Sequence, residues 1–154
     1  MESYKNFKRF TGPSMFGTEK LDIPENTLFT TNNDGLIIYT KPDPKPDESP
    51  TVALCAITSQ SAFDLFVPLL DGESDEDWNA RATLYFNIKE KINKTPEDVR
   101  DACLDELWHD EVANKYRVIN DESDKESFFI NYFDLHHAAF SDLESIWNKI
   151  KDIH

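Results

Sequence analysis

The stretch that decides the fold is TVALCAITSQSAFDLFVPLLDGESDEDW, residues Thr51 to Trp78. It opens with an apolar run rich in β-branched residues, Thr51 to Ile57, which predicts a buried strand. A polar corner, Thr58-Ser59-Gln60-Ser61, then turns the chain into a short helix expected to carry Ala62, Phe63, Leu65, Phe66 and Val67. Leu69, Leu70 and Gly72 are expected to end that helix, and Asp71, Glu73, Asp75, Glu76 and Asp77 follow at once. The passage marks a change of regime, with the signals of a sheet upstream and of helices downstream.

Upstream, Lys20-Leu21-Asp22-Ile23 alternates as a half-buried strand does and is closed by Pro24. Thr27 to Thr31 and Leu36 to Thr40 are rich in strand formers, and Asn32-Asn33-Asp34-Gly35 between them is a hairpin turn. KPDPKPDESP, residues 41–50, carries four prolines and reads as a stiff exposed loop without PxxP spacing.

Downstream, Ser74-x-x-Asp77, Thr95-Pro96-x-Asp98, Ser123-x-x-Glu126 and Ser141-x-x-Glu144 each place a hydroxyl where a helix begins and an acid at its third position. Amphipathic patterns follow each start. Trp78, Ala82, Tyr85, Ile88 and Ile92 share one face; Val99, Cys103 and Leu107, widened by Leu104 and Trp108, share another. Phe128, Phe129, Tyr132 and Phe133 form an aromatic stripe, and Leu143, Ile146, Trp147 and Ile150 a last one. The expected fold is α+β: a small antiparallel N-terminal sheet of about four strands packed against about five C-terminal helices. A chain of 154 residues is the length of one domain, 1–154, mainly β over 1–57 and mainly α over 58–154.

Charge is the strongest compositional fact. The net charge is −14, and residues 61–154 carry 22 acids against 10 bases, whereas residues 1–60 carry 8 against 6. A direct nucleic-acid binder shows a basic patch instead, so direct nucleic-acid binding is not expected. No apolar run approaches the ~18 residues of a membrane span, and MESYKNFKRF has no apolar signal core. Two cysteines, Cys55 in the strand and Cys103 in a helical pattern, read as buried hydrophobes of a reducing compartment, although the sequence leaves open whether they lie near each other. The expected location is cytoplasmic.

The acids admit two readings. Nine of those after residue 60 fall in predicted first turns, where the helix dipole favours carboxylates: Asp75, Glu76, Asp77, Glu97, Asp98, Asp124, Glu126, Asp142 and Glu144. Alternatively, Glu97, Asp101 and Asp105 recur every four residues with Asp98 beside them. Adjacent members of such a row lie ~5–6 Å apart, similar to phosphates along one nucleic-acid strand. Asp71 and Glu73 add to this candidate partner-binding set.

Other chemistry is less well supported. Asp71, Glu73 and Asp75 alternate like calcium ligands, but glycine comes second and no closing glutamate follows. His136-His137 lacks any HExxH or Cys/His spacing, so no metal or other cofactor is expected. Cys103 with His109 lacks an activating motif, and there is no P-loop, GxGxxG or GxSxG. The chain is not expected to be an enzyme; a site assembled from distant residues such as His109, Asp110 and Tyr116 is the alternative.

Several phrases carry a resemblance: FTGPSMFGTEKLDIPENTLF, ITSQSAFDLFVPLLDG, LWHDEVANKYRV and FFINYFDLHHAAFSDLESIW. In that order, over most of the chain, they resemble a family of small, functionally uncharacterised proteins carried by phages, prophages and other mobile elements of low-GC Gram-positive bacteria. The loop at 41–50 is longer here than in that pattern. The resemblance brings no catalytic residues; it implies a mobile-element context, in which small acidic proteins often inhibit host defence or host nucleic-acid enzymes. The expected function is an inhibitor that binds and blocks a basic nucleic-acid-binding host protein or nuclease complex in the bacterial cell, an anti-defence or anti-CRISPR role. A phage structural or assembly factor is the further alternative.

Overall fold

The computed structural model describes residues 2–17, 19–93, 97–118 and 129–154. The chain divides into two compact units, residues 1–74 and 75–154. The fold is α+β, with the sheet in the first unit and five of the six helices found among the described residues in the second.

In the first unit the strands are β1 (Ser3–Asn6), β2 (Phe10–Pro13), β3 (Lys20–Ile23), β4 (Leu28–Thr31), β5 (Leu36–Thr40), β6 (Thr51–Ala56) and β7 (Phe66–Leu69), with α1 (Gln60–Leu65) between the last two. Five of them form an antiparallel sheet in the order β6-β5-β4-β1-β7, while β2 and β3 form a separate hairpin. Alternation sets the faces: Leu21 and Ile23 of β3 and Phe29 of β4 are buried, while Lys20, Asp22 and Leu28 are exposed. The β4–β5 turn forms as expected. Asn32 Oδ1 accepts from the N–H groups of Asp34 and Leu36, each at 3.0 Å, and Gly35 supplies the left-handed residue at φ 72°.

The core of this unit is aromatic. Phe29 meets Phe66 edge to face at 5.1 Å and lies 5.9 Å from Tyr39, and the cluster includes Tyr4, Ile37 and Leu54. β1 lies between β4 and β7, placing Tyr4 opposite Phe29 and Pro68. Its neighbour Asn6, fully buried, ties the strand to the turn before β4. Its Nδ2 donates to Pro24 O at 2.8 Å and Lys8 O at 3.1 Å, and its Oδ1 accepts from Thr27 N at 2.8 Å.

The pivotal stretch resolves differently from expectation in one respect. Ser59 caps α1 by accepting from Ala62 N at 3.2 Å, so the polar corner starts a helix. That helix stops at Leu65, however, and Phe66-Val67-Pro68-Leu69 is a strand on the sheet edge, not the helix's second half. Pro68 is the physical reason. It disfavours helical geometry at Val67 and lacks the N–H a helix interior needs, whereas an edge strand tolerates it.

In the second unit, α2 (Asp75–Asn93) starts immediately after Ser74 and buries Trp78, Ala82, Tyr85, Ile88 and Ile92, the expected stripe, together with Arg81. α3 (Glu97–Leu107) buries Val99, Cys103, Leu104 and Leu107. The short α4 (Glu111–Asn114) and α5 (Tyr132–Leu135) precede α6 (Phe140–Ile150), which packs on α2, α3 and α4 through Leu143, Ile146 and Ile150.

One helix start and one expected stripe differ from expectation. At the last helix, Ala139 O already accepts from Leu143 N at 3.2 Å, so α6 begins at Phe140 without a side-chain cap. Ser141 therefore lies inside the helix and Glu144 beyond its first turn. The aromatic run is not one helix either. Phe129–Ile130 forms β9, paired with β8 (Arg117–Val118), and Asn131 then caps α5 by accepting from Asp134 N at 3.2 Å. The expected starts at Thr95 and Ser123, the first-turn acids Asp124 and Glu126, and Phe128 lie outside the described residues.

Candidate functional site

The apolar positions of α3 fix which way its acids face. With Val99, Cys103, Leu104 and Leu107 turned into the unit, Glu97, Asp98, Asp101, Asp105 and Glu106 are all exposed. The helix carries one basic residue, Arg100, against these five acids. Glu97 and Asp98 occupy its first turn, where the dipole stabilises them; Asp101 and Asp105 lie beyond that help.

The acidic row runs into an open groove of about 520 Å³ lined by Glu106, His109, Asp110, Glu111 and Val112, with Ser145 and Lys149 of α6 on the far wall. Glu106, Asp110 and Glu111 extend the carboxylate surface past the row predicted from spacing. The signal for them is present in Asp105-Glu106 and Asp110-Glu111, but the four-residue spacing breaks at the turn between α3 and α4. Asp110 is also engaged locally, since its Oδ2 accepts from Ala113 N at 2.9 Å and its Oδ1 lies 3.9 Å from Lys149 Nζ.

Asp71 and Glu73 belong to the first unit. Asp71 is exposed beside Gly72, whose φ of 73° makes the turn, and Glu73 Oε1 accepts from Leu70 N at 3.1 Å. Four of the six candidate residues, Glu97, Asp98, Asp101 and Asp105, therefore share one helix face, and two sit in a separate turn.

The alternative catalytic set is not assembled as a relay. The Tyr116 hydroxyl donates to Asp142 Oδ2 at 2.7 Å, Asp110 is engaged as a cap, and exposed His109 lies against Trp108 at 6.5 Å between ring centroids. Burial, and then the bond to Asp142, pushes the Tyr116 phenol well above its ordinary range. Cys55 and Cys103 are both free and buried, and burial raises both thiols, the opposite of what a nucleophile needs.

His136 is fully buried against the rings of Tyr85 and Phe133, and His137 Nδ1 lies 2.7 Å from Phe133 O. Among the described residues no three His, Cys, Asp or Glu side chains are grouped to hold a metal ion, and no helix is long and apolar enough to cross a membrane. Comparisons with protein-family models, curated proteins and solved structures find no match for this chain.

Proposed function

We propose that the protein is an acidic interaction protein of a mobile element, which binds and blocks a basic nucleic-acid-handling protein of its bacterial host in the cytoplasm. An anti-defence role, including inhibition of a CRISPR nuclease complex, is its most concrete form. The carrying observation is the exposed carboxylate face of α3, Glu97, Asp98, Asp101 and Asp105, continued by Glu106 and Glu111 at the groove. Residues 75–154 carry 19 acids and 10 bases, so this face sits in a field of net −9.

Such a face supplies carboxylates to Lys and Arg clusters as charge-assisted hydrogen bonds, and it competes for the groups that otherwise hold phosphates. Clustered like charge opposes folding, so the row is retained at a cost to stability that partner binding would explain. The groove also gives an enzyme reading a foothold, since His109, Ser145 and Lys149 share it with three carboxylates. Turnover at that groove, abolished by His109→Ala, would favour that reading.

The test is capture from bacterial lysate with the tagged chain, at low and high salt, followed by competition with nucleic acid for the captured protein. Asp98→Asn, Asp101→Asn and Asp105→Asn together change the net charge from −14 to −11. Exposed ion pairs are worth ~0.2–1 kcal/mol each, so low-salt affinity should fall roughly 10-fold. Full affinity in the triple variant, or capture indifferent to salt, overturns the assignment. Stable incorporation into virions with no host protein captured favours an assembly factor.

A further inference from the structure

The β2–β3 hairpin of the first unit carries an exposed knob beside an uncharged hole. Phe16 at the hairpin tip is 81% exposed, the most exposed of the large apolar side chains among the described residues, and Met15 beside it is 44% exposed. The adjoining cavity, about 330 Å³, lies between β2 on one side and β6, α1 and β7 on the other. Phe10 and Leu65 provide most of its accessible apolar surface, over buried Leu54 and Phe66; Thr11 and Ser61 are among its polar groups, and none of its lining side chains is charged. It has more than enough room for one aromatic ring, since a cavity of ~150 Å³ already takes benzene.

The tip is held in place. Met15 N donates to Ala53 O at 2.9 Å, pinning the hairpin to the outer edge of β6. Ser14 N donates to Glu19 O at 3.4 Å, tying the two ends of the tip together. Phe16 is thus presented to solvent by a constrained turn, and exposing its ring is unfavourable.

We propose that two copies of this chain associate through this hairpin, Phe16 of each entering the cavity of the other. A knob and a hole adjacent on one surface are what a twofold contact requires, because each copy then offers both halves of the same patch. Charge points to the same occupant. Around the hairpin the exposed charges are three bases, Lys8, Arg9 and Lys20, against two acids, Glu19 and Asp22, in a chain of net −14. Two copies meet there with less repulsion than at their acidic helices. Two exchanged rings bury ~150–250 Å² each, well short of the ~1,200 Å² of a stable interface, so the dimer is weak and exchanges rapidly.

Sedimentation velocity of the full chain, from micromolar to millimolar, reads this directly. The native chain should shift towards dimer as concentration rises, and Phe16→Ala should stay monomeric. Ser61→Trp, at an exposed α1 position on the cavity wall, should fill the hole and also stay monomeric. An equimolar mixture of the two variants should re-associate, at least 10-fold more weakly than the native chain, because only that pairing keeps one knob and one open hole. A native chain monomeric throughout, Phe16→Ala dimerising like the native chain, or a mixture that fails to associate while the native chain does, each overturns the proposal.

Discussion

Replacing Arg81 with leucine tests whether a buried cation organises the second unit. Arg81 is 1% exposed on the face of α2 that buries Trp78, Ala82 and Tyr85. Its Nη1 donates to His136 O at 2.8 Å and Ala138 O at 3.2 Å, the backbone that joins α5 to α6. Leucine fills part of the space but leaves both carbonyls without this donor. A buried acceptor that loses its donor costs ~1–3 kcal/mol, so two cost ~2–6, and leucine's own burial returns part of that. The expected net loss is about 3 kcal/mol, a large fraction of the ~5–15 kcal/mol that holds a domain together. For a unit of this size that lowers the thermal midpoint by roughly 12–24 °C.

Trp78, Trp108 and Trp147 all lie in residues 75–154, so tryptophan fluorescence during urea unfolding reads this unit without contribution from the other. Arg81→Lys, which keeps a charge and a compact donor, should lose less. A loss of about 0.5 kcal/mol or less in Arg81→Leu, the scale of an ordinary surface substitution, would refute the reasoning. Desolvating the guanidinium would then offset its hydrogen bonds, as in some buried ion pairs.

Asn6→Ala should cost the first unit ~2–4 kcal/mol by removing the three hydrogen bonds of a buried amide, with faster hydrogen exchange over β1 and β4 as the measurement; unchanged exchange contradicts it. Tyr116→Phe should cost about 1 kcal/mol at neutral pH through the lost bond to Asp142. Because the folded phenol titrates above its unfolded value of ~10, its stabilisation is complete below that pH and lost as pH rises beyond it. Tryptophan-monitored stability should therefore fall less steeply above pH ~10 in Tyr116→Phe than in the native chain, and equal slopes count against the linkage.

What could be read from the sequence follows from how local each signal is. The α2 stripe and the 32–35 turn are written in a few adjacent residues, and both are present. The sheet's centre is not local. β1 is four residues, Ser3–Asn6, with no alternating apolar pattern, and it becomes a strand because β4 and β7 supply hydrogen bonds on both sides. β7 is hidden for a related reason. Phe66 and Val67 continue a helical apolar spacing, and only Pro68 signals the change of backbone. The acidic row is legible because it lies on one regular helix, with its direction set by Val99, Cys103 and Leu107. Its extension to Glu111 depends on the turn between α3 and α4, and the hairpin's knob and hole depend on how Phe10 packs against Phe66, at 6.4 Å between rings.

The two proposed associations respond to salt with opposite sign. Binding of a basic partner to the α3 face is Coulombic, and a Debye length of ~10 Å at 0.1 M screens much of the attraction between exposed charges. The contact between copies is apolar and works against the mutual repulsion of two chains of net −14, so added salt removes an opposing force and strengthens it. One salt series on the full chain, reading dimer fraction in one arm and retention of a captured basic partner in the other, therefore separates them. If both weaken together as salt rises, the contact between copies is electrostatic, and Phe16 in its partner's cavity is the wrong account of it.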